Sequence, residues 1–263
     1  MDNRPIGVFD SGIGGLTVVS QVLKALPHEE IVYFGDTARL PYGSKSKEIV
    51  TKFSRQIVNF LLEKDVKAII IACNTASSNS YNALVTEFDI PIIEVVGPAV
   101  TTCLNTTKNN IVGVIGTEAT IRSEAYQIQI RSREPEIQVY SKSCPLFVHL
   151  AEEGWTKNSV AHLTTEIYLQ ELIDKDIDTL ILGCTHYPLL EDCIKQITGN
   201  IKIINPAAAV AVEMKSFLER NKLLRDAPSP PQHKFYVSDN TKKFNKICNL
   251  VLDNIYQAEL VEL

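Results

Sequence analysis

Short apolar runs alternate with longer amphipathic ones along the chain. The runs IGVFD (6–10), IVYFGD (31–36), AIIIAC (68–73) and IPIIEVV (90–96) are continuous and rich in β-branched residues, which predicts strands buried on both faces. Between them, LTVVSQVLKAL and KEIVTKFSRQIVNFLLEK place apolar residues at the three-to-four spacing of an amphipathic helix. The alternation resumes with NIVGVIG (110–116), IQVYS (137–141), TLILGC (179–184) and IKIIN (201–205). Strand followed by helix, repeated, predicts parallel sheets covered by helices on both faces. APSPPQ (227–232) reads as an exposed loop.

The two halves match in order. IGVFDSGIGG aligns with VGVIGTEAT, IVYFGD with IQVYSK, and AIIIACNTAS with TLILGCTHYP. Each last segment precedes a helix, another strand and a proline–alanine–valine stretch, VVGPAV or INPAAAV. The expected fold class is α/β, with two similar doubly wound parallel-sheet domains related by pseudo-symmetry and an active site in the cleft between them. The boundaries read as 1–97 plus 208–263 for the first domain and 98–207 for the second. The crossovers fall near Gly97 and Pro206.

This duplication changes how two cysteines are read. A cysteine in a soluble protein is ordinarily a small packing residue. Cys73 and Cys184 occupy equivalent positions at the carboxyl ends of strands, where open α/β sheets bind ligands. Hydroxyl, amide or imidazole side chains follow at once, Asn74-Thr75 and Thr185-His186. A helix is expected just after each, and a helix N-terminus lowers the pKa of a nearby thiol. Two such thiols facing one cleft suit removal of a proton from one side of a carbon and delivery to the other. Cys103, Cys144, Cys193 and Cys248 have no comparable setting and read as packing residues. His28, His149, His162 and His233 read as surface or core residues.

Composition narrows the function classes. The chain has 263 residues, 45% hydrophobic and 22% charged, with a formal net charge of −5. Such a chain builds a sizeable core and has no basic field for nucleic acid or an anionic membrane. No apolar run reaches membrane-spanning length. The first strand comes without a charged-then-apolar leader, so a cytoplasmic location is expected and disulfides are not. The six cysteines contain no C-x-x-C pair, and no zinc-type spacing occurs. No metal is expected.

Five motifs in register resemble the glutamate racemases, the cofactor-independent makers of D-glutamate for peptidoglycan. They are FDSGIGGLTV (9–18), GDTARLPYG (35–43), ACNTAS (72–77), GTEATIRS (116–123) and LGCTHYPLL (182–190). The resemblance implies that Cys73 and Cys184 are the two acid/base thiols. It places Asp10 beside Cys73 and His186 beside Cys184, each also in contact with substrate. Glu152 resembles the acid that assists Cys184, with Glu153 next to it competing for that role. Ser11, Asn74, Thr75 and Thr185 would bind the amino-acid head group. Pro41, Tyr42, Gly43 and Thr117 would hold the side-chain carboxylate, and Asp36 carries over as a polar active-site residue. The implied substrate is L- or D-glutamate, with no cofactor, no nucleic acid and no membrane, and with a homodimer as the family's common assembly. None of the five motifs contains a lysine for a Schiff base.

Other readings compete. DSGIGGLT resembles half of a dinucleotide fingerprint, but Thr17 stands at the third glycine position and Asp10 would repel a pyrophosphate. An aspartate or other amino-acid racemase of the same superfamily shares the paired cysteines. A cysteine hydrolase using Cys184 and His186 leaves Cys73 unexplained. A binding module without catalysis leaves both thiols without a role.

Overall fold

The computed structural model describes residues 1–239, 241–252 and 256–263. The first series of elements is β1 (Ile6–Asp10), α1 (Leu16–Ala25), β2 (Ile31–Gly35), α2 (Lys47–Glu63), β3 (Ala68–Ile71), α3 (Asn74–Glu87), β4 (Ile92–Glu94) and α4 (Val96–Leu104). The second runs β5 (Ile111–Gly116), α5 (Glu118–Arg122), α6 (Ala125–Arg133), β6 (Gln138–Ser143), α7 (Leu146–Glu152), α8 (Ser159–Ile173), β7 (Thr179–Gly183), α9 (Glu191–Thr198) and β8 (Lys202–Ile204). The chain then forms α10 (Pro206–Arg220), β9 (Lys234–Val237), α11 (Thr241–Val251) and β10 (Ala258–Leu260).

Two sheets result, with strand orders β10-β9-β2-β1-β3-β4 and β6-β5-β7-β8. All strand pairings among the described residues are parallel. The eight expected strands are present, several shorter than their apolar runs. Strands β2-β1-β3-β4 and β6-β5-β7-β8 follow the same spatial order, so the repeat seen in the sequence is also a repeat of topology.

The sheets separate two layers of core each. Ile6, Val8, Ala68 and Ile70 face one cluster, which includes α1 and α10 residues, while Phe9, Ile69 and Ile71 face another that includes α2. This is the two-residue period of a strand buried on both sides. Helix α2 shows the complementary logic. Ser46 caps it, accepting from the Ile49 N–H, and Val50, Ser54, Ile57, Val58 and Leu61 form its buried stripe. Truncating a fully buried side chain such as Leu61 to alanine costs about 2–5 kcal/mol in comparable cores.

The two proline–alanine–valine stretches form the first turns of α4 and α10, which pack on each other. Glu94 accepts from the N–H groups of Val96 and Gly97, and Asn205 accepts from the Ala207 N–H, closing the open ends of these helices. Strands β9 and β10 extend the first sheet beyond β2 and have no counterpart in the second. They read KFYV and AEL, without the repeated β-branched residues that announce the other eight. The loop expected at 227–232 carries neither helix nor strand.

Candidate active site

One pocket takes its walls from turns at the carboxyl ends of β1, β2, β3, β5 and β7, and from α7. It therefore lies between the two sheets. Close packing there is enforced by glycine. A Cβ on Gly14, after β1, would lie 2.4 Å from Thr185 Oγ1 and 2.7 Å from His186 Nδ1. The turn after β1 can approach the turn after β7 only because this position has no side chain.

Asp10 ends β1 and is fully buried. Its carboxylate accepts from the Gly12 N–H at 3.0 Å and from Thr185 Oγ1 at 3.3 Å. Burial pushes its carboxyl above the ordinary range, opposed by His186 and by backbone N–H groups. Thr17 Oγ1 adds a second link, donating to the Thr185 carbonyl at 3.0 Å.

Cys73 caps α3, its sulfur accepting from the Ala76 N–H at 3.4 Å and lying 3.6 Å from Ser11 Oγ. The sequence leads to the expectation of a lowered thiol pKa at this helix start. The structure reverses it: burial, reinforced by the Asp10 charge, pushes the thiol up to about 12. The Ala76 N–H and the Ser11 hydroxyl act in the expected direction but are outweighed. Removing a small anion from water costs more than one helix end returns.

Cys184 follows β7 and precedes a 3₁₀ turn, Tyr187–Leu190, with Pro188 in its first positions. Its sulfur lies 3.8 Å from His186 Nδ1. On the other side of the ring, Nε2 is 3.3 Å from Glu152 Oε1, close enough for an ion pair though not aligned as a hydrogen bond. Burial disfavours charge on His186, but the Cys184 sulfur and the Glu152 carboxylate outweigh it and hold the imidazole up at about 10. Glu152 is the carboxylate that faces His186, while Glu153 is exposed at the end of α7.

Of the residues singled out from the sequence, Ser11, Pro41, Tyr42, Gly43, Cys73, Asn74, Thr75, Thr117, Glu152, Cys184, Thr185 and His186 line this pocket. Asp10 and Asp36 stand behind the lining. Asp36 is buried and engaged by Arg39 Nε at 2.7 Å, by Ser238 Oγ at 2.8 Å and by the Tyr42 hydroxyl. It supports the wall that Tyr42 presents rather than forming it. Thr75 and Thr117 join across the pocket, 2.9 Å apart between hydroxyls, and Thr117 also caps α5 by accepting from the Thr120 N–H.

Three lining residues were not anticipated: Gly12, Leu40 and Val148. Gly12 and Leu40 sit inside motifs already recognised. Val148 precedes Glu152 by four positions on α7, a helical spacing that places both on one face.

No lysine or arginine lines the pocket. Hydroxyls, the Asn74 amide and the N-terminus of α3 are the groups available for a carboxylate, and such neutral donors suffice for anion binding. Among the described residues no cluster of three or more His, Cys, Asp or Glu side chains could hold a metal ion, and no helix is long and apolar enough to cross a membrane. All six cysteines are free thiols.

A sequence model of the Asp/Glu/Hydantoin racemase family matches residues 6–214. A glutamate racemase of Geobacter metallireducens is 45% identical over 262 residues, which cover 98% of this chain and 97% of the relative. A glutamate racemase of Persephonella marina is 44% identical over 258 residues, 98% of this chain and 97% of the relative. Among solved structures, glutamate racemase of Francisella tularensis in complex with D-glutamate matches with a TM-score of 0.93 at 44% identity, covering 100% of this chain and 98% of that one. Picrophilus torridus aspartate racemase matches with a TM-score of 0.63 at 18% identity, covering 84% of this chain and 100% of that one, a likeness of fold.

Proposed function

The chain belongs to the Asp/Glu/Hydantoin racemase family, and from that premise we propose that it interconverts L- and D-glutamate by proton transfer between two cysteines. It is a cofactor-independent isomerase whose product D-glutamate is used in peptidoglycan synthesis, in the cytoplasm. The observation that carries this reading is the pair Cys73 and Cys184, equivalent in two repeated sheets and opening on one pocket. The near full-length relatives named glutamate racemase select the substrate.

In the L-to-D direction the Cys184 sulfur takes the Cα proton as a thiolate, with the His186 imidazolium beside it. The Cys73 thiol delivers its own proton to the opposite face of the same carbon. The electron pair of the broken C–H bond stays at Cα, spread onto the α-carboxylate, and then forms the new C–H bond with the proton from Cys73, leaving Cys184 as the thiol and Cys73 as the thiolate. A thiol held up near 12 is suited to being the donor at the start of this direction. In reverse, Cys73 becomes the base under the influence of Asp10, and Cys184 the donor. Hydroxyls and the Asn74 amide stabilise the developing carbanion by binding the carboxylate that shares its charge. The halves bounded at residues 97 and 207 each contribute one thiol and the groups that serve it.

Incubation of reduced protein with L-glutamate in D₂O, without pyridoxal phosphate, tests the proposal by chiral analysis and mass spectrometry. Early D-glutamate should carry deuterium at Cα while unreacted L-glutamate stays protonated, because a donor thiol exchanges with solvent before substrate arrives. Early labelling of both pools would replace two bases by one. L-Aspartate should react at least about tenfold less efficiently, a one-methylene misfit costing roughly 1–3 kcal/mol. Equal kcat/KM on both substrates would reject the glutamate assignment.

A further inference from the structure

Tyr126 belongs to α6, which follows the second sheet's first strand, and it is fully buried. Its hydroxyl crosses to the other half of the molecule and lies 2.5 Å from Asn74 Oδ1. Asn74 is the first residue of α3, next to Cys73, and lines the pocket. The ring of the same tyrosine lies against the strand that leads to Cys184, where a Cβ on Gly183 would come within 3.2 Å of Tyr126 Cε2. One side chain thus touches both turns that carry the thiols.

A carboxamide has an acceptor at one end and a donor at the other. A phenol has one proton, and leaving it undonated in the interior costs about 1–3 kcal/mol. Burial pushes the Tyr126 phenol far above its ordinary range, so the proton stays on it. The hydrogen bond therefore selects Oδ1 as the end of Asn74 that turns towards Tyr126, leaving Nδ2 for the pocket. The opposite rotamer would offer a carbonyl oxygen to an anion, in a pocket without lysine or arginine to compensate.

We propose that Tyr126 is a positioning residue that fixes the Asn74 amide with its Nδ2 donor towards a substrate carboxylate. The proposal rests on the racemisation inferred above. Its tests compare variants with a wild-type protein that racemises glutamate, so a wild type without that activity rejects the function and not merely this role. Tyr126→Phe keeps the ring and removes the hydroxyl; it should raise KM for L-glutamate about tenfold, the loss of one hydrogen bond, with a smaller change in kcat. Asn74→Ala should raise KM at least as much. In the double variant the tyrosine change should add nothing, because its only route to substrate is gone. A lowered thermal midpoint with an unchanged KM in Tyr126→Phe would reduce the residue to a structural one and overturn the proposal, as would additive losses in the double variant. The wild-type protein decides the matter even if Tyr126→Phe fails to fold. A neutron structure should place the phenol deuterium on the line to Asn74 Oδ1 and the Asn74 amide deuteriums towards the pocket. Amide deuteriums turned to Tyr126 instead would overturn the proposal.

Discussion

Cys73 leaves its strand into the first turn of a fourteen-residue α-helix, whereas Cys184 leaves its strand into a 3₁₀ turn. In the first case the sulfur accepts a backbone N–H and feels the charge of a buried carboxylate, Asp10. In the second it lies against an imidazole whose proton is held by that sulfur and by Glu152 against the effect of burial. The residue two places after the cysteine, Thr75 in one turn and His186 in the other, marks the divergence. Repetition of the backbone position thus carries the geometry of attack from two sides without carrying the protonation state. That asymmetry suits a reaction in which one sulfur must begin as base and the other as acid.

The largest effect expected from breaking the pair is on turnover. Cys73→Ala or Cys184→Ala should each lower racemisation by roughly 10²–10⁴-fold or more, since either change removes an acid in one direction and a base in the other. L- and D-glutamate have equal free energies, so kcat/KM must fall equally from both sides. The difference between the turns should instead appear in exchange without inversion. In D₂O, Cys73→Ala should slowly label only L-glutamate and Cys184→Ala only D-glutamate. The opposite pattern would exchange the assignments of the two sulfurs.

A second comparison concerns stability against pH. His186 titrates near 10 when folded and near its ordinary value of about 6.5 when unfolded, so its contribution is complete below 6.5 and is lost as pH rises through 10. The Cys73 thiol, at about 12 when folded against roughly 8.5 when unfolded, contributes fully below 8.5 and loses that contribution as pH rises towards 12. The urea midpoint should therefore fall from pH 6.5 to 10, corresponding to a loss on the order of a few kcal/mol. His186→Asn should flatten the part below pH 8.5, whereas Cys73→Ala should only lessen the steepening above it, because burial also holds Cys103 and Cys248 up at about 12. A midpoint that rises over this range would show the signs to be wrong.

The smallest effect sharpens the Cys184 side alone. Glu152→Gln removes the carboxylate 3.3 Å from His186 Nε2, and with it one cause of the raised imidazole pKa. The alkaline limb of the kcat/KM profile should move to lower pH by about one unit. An unmoved limb would mean that Glu152 does not act through His186.

Much of this was legible in the chain because it depends on neighbours in sequence. The run of isoleucines before Cys73, the matching TLILG before Cys184 and the glycines after Asp10 announce strand ends and tight turns from local period and composition. Other features are set by distance in space. Asp36 is a site residue by the resemblance of GDTARLPYG, yet Arg39, Ser238 and Tyr42 converge on it behind the wall. Tyr126 has no mark in its own segment, because the partner that gives it a role is 52 positions away.

The amino-acid sequence by itself determined the eight repeated strands, their parallel order and the placing of one cysteine at each of two equivalent strand ends. Apolar period, β-branched content and turn residues act within a few residues of themselves, and so they are written locally. Only the tertiary structure decided that β9 and β10 join the first sheet, and that Asp10 stands behind the pocket wall. It also decided that Cys73 is held as a thiol while His186 is held as a cation. Burial and charge depend on everything within reach of an atom, whichever part of the chain supplies it.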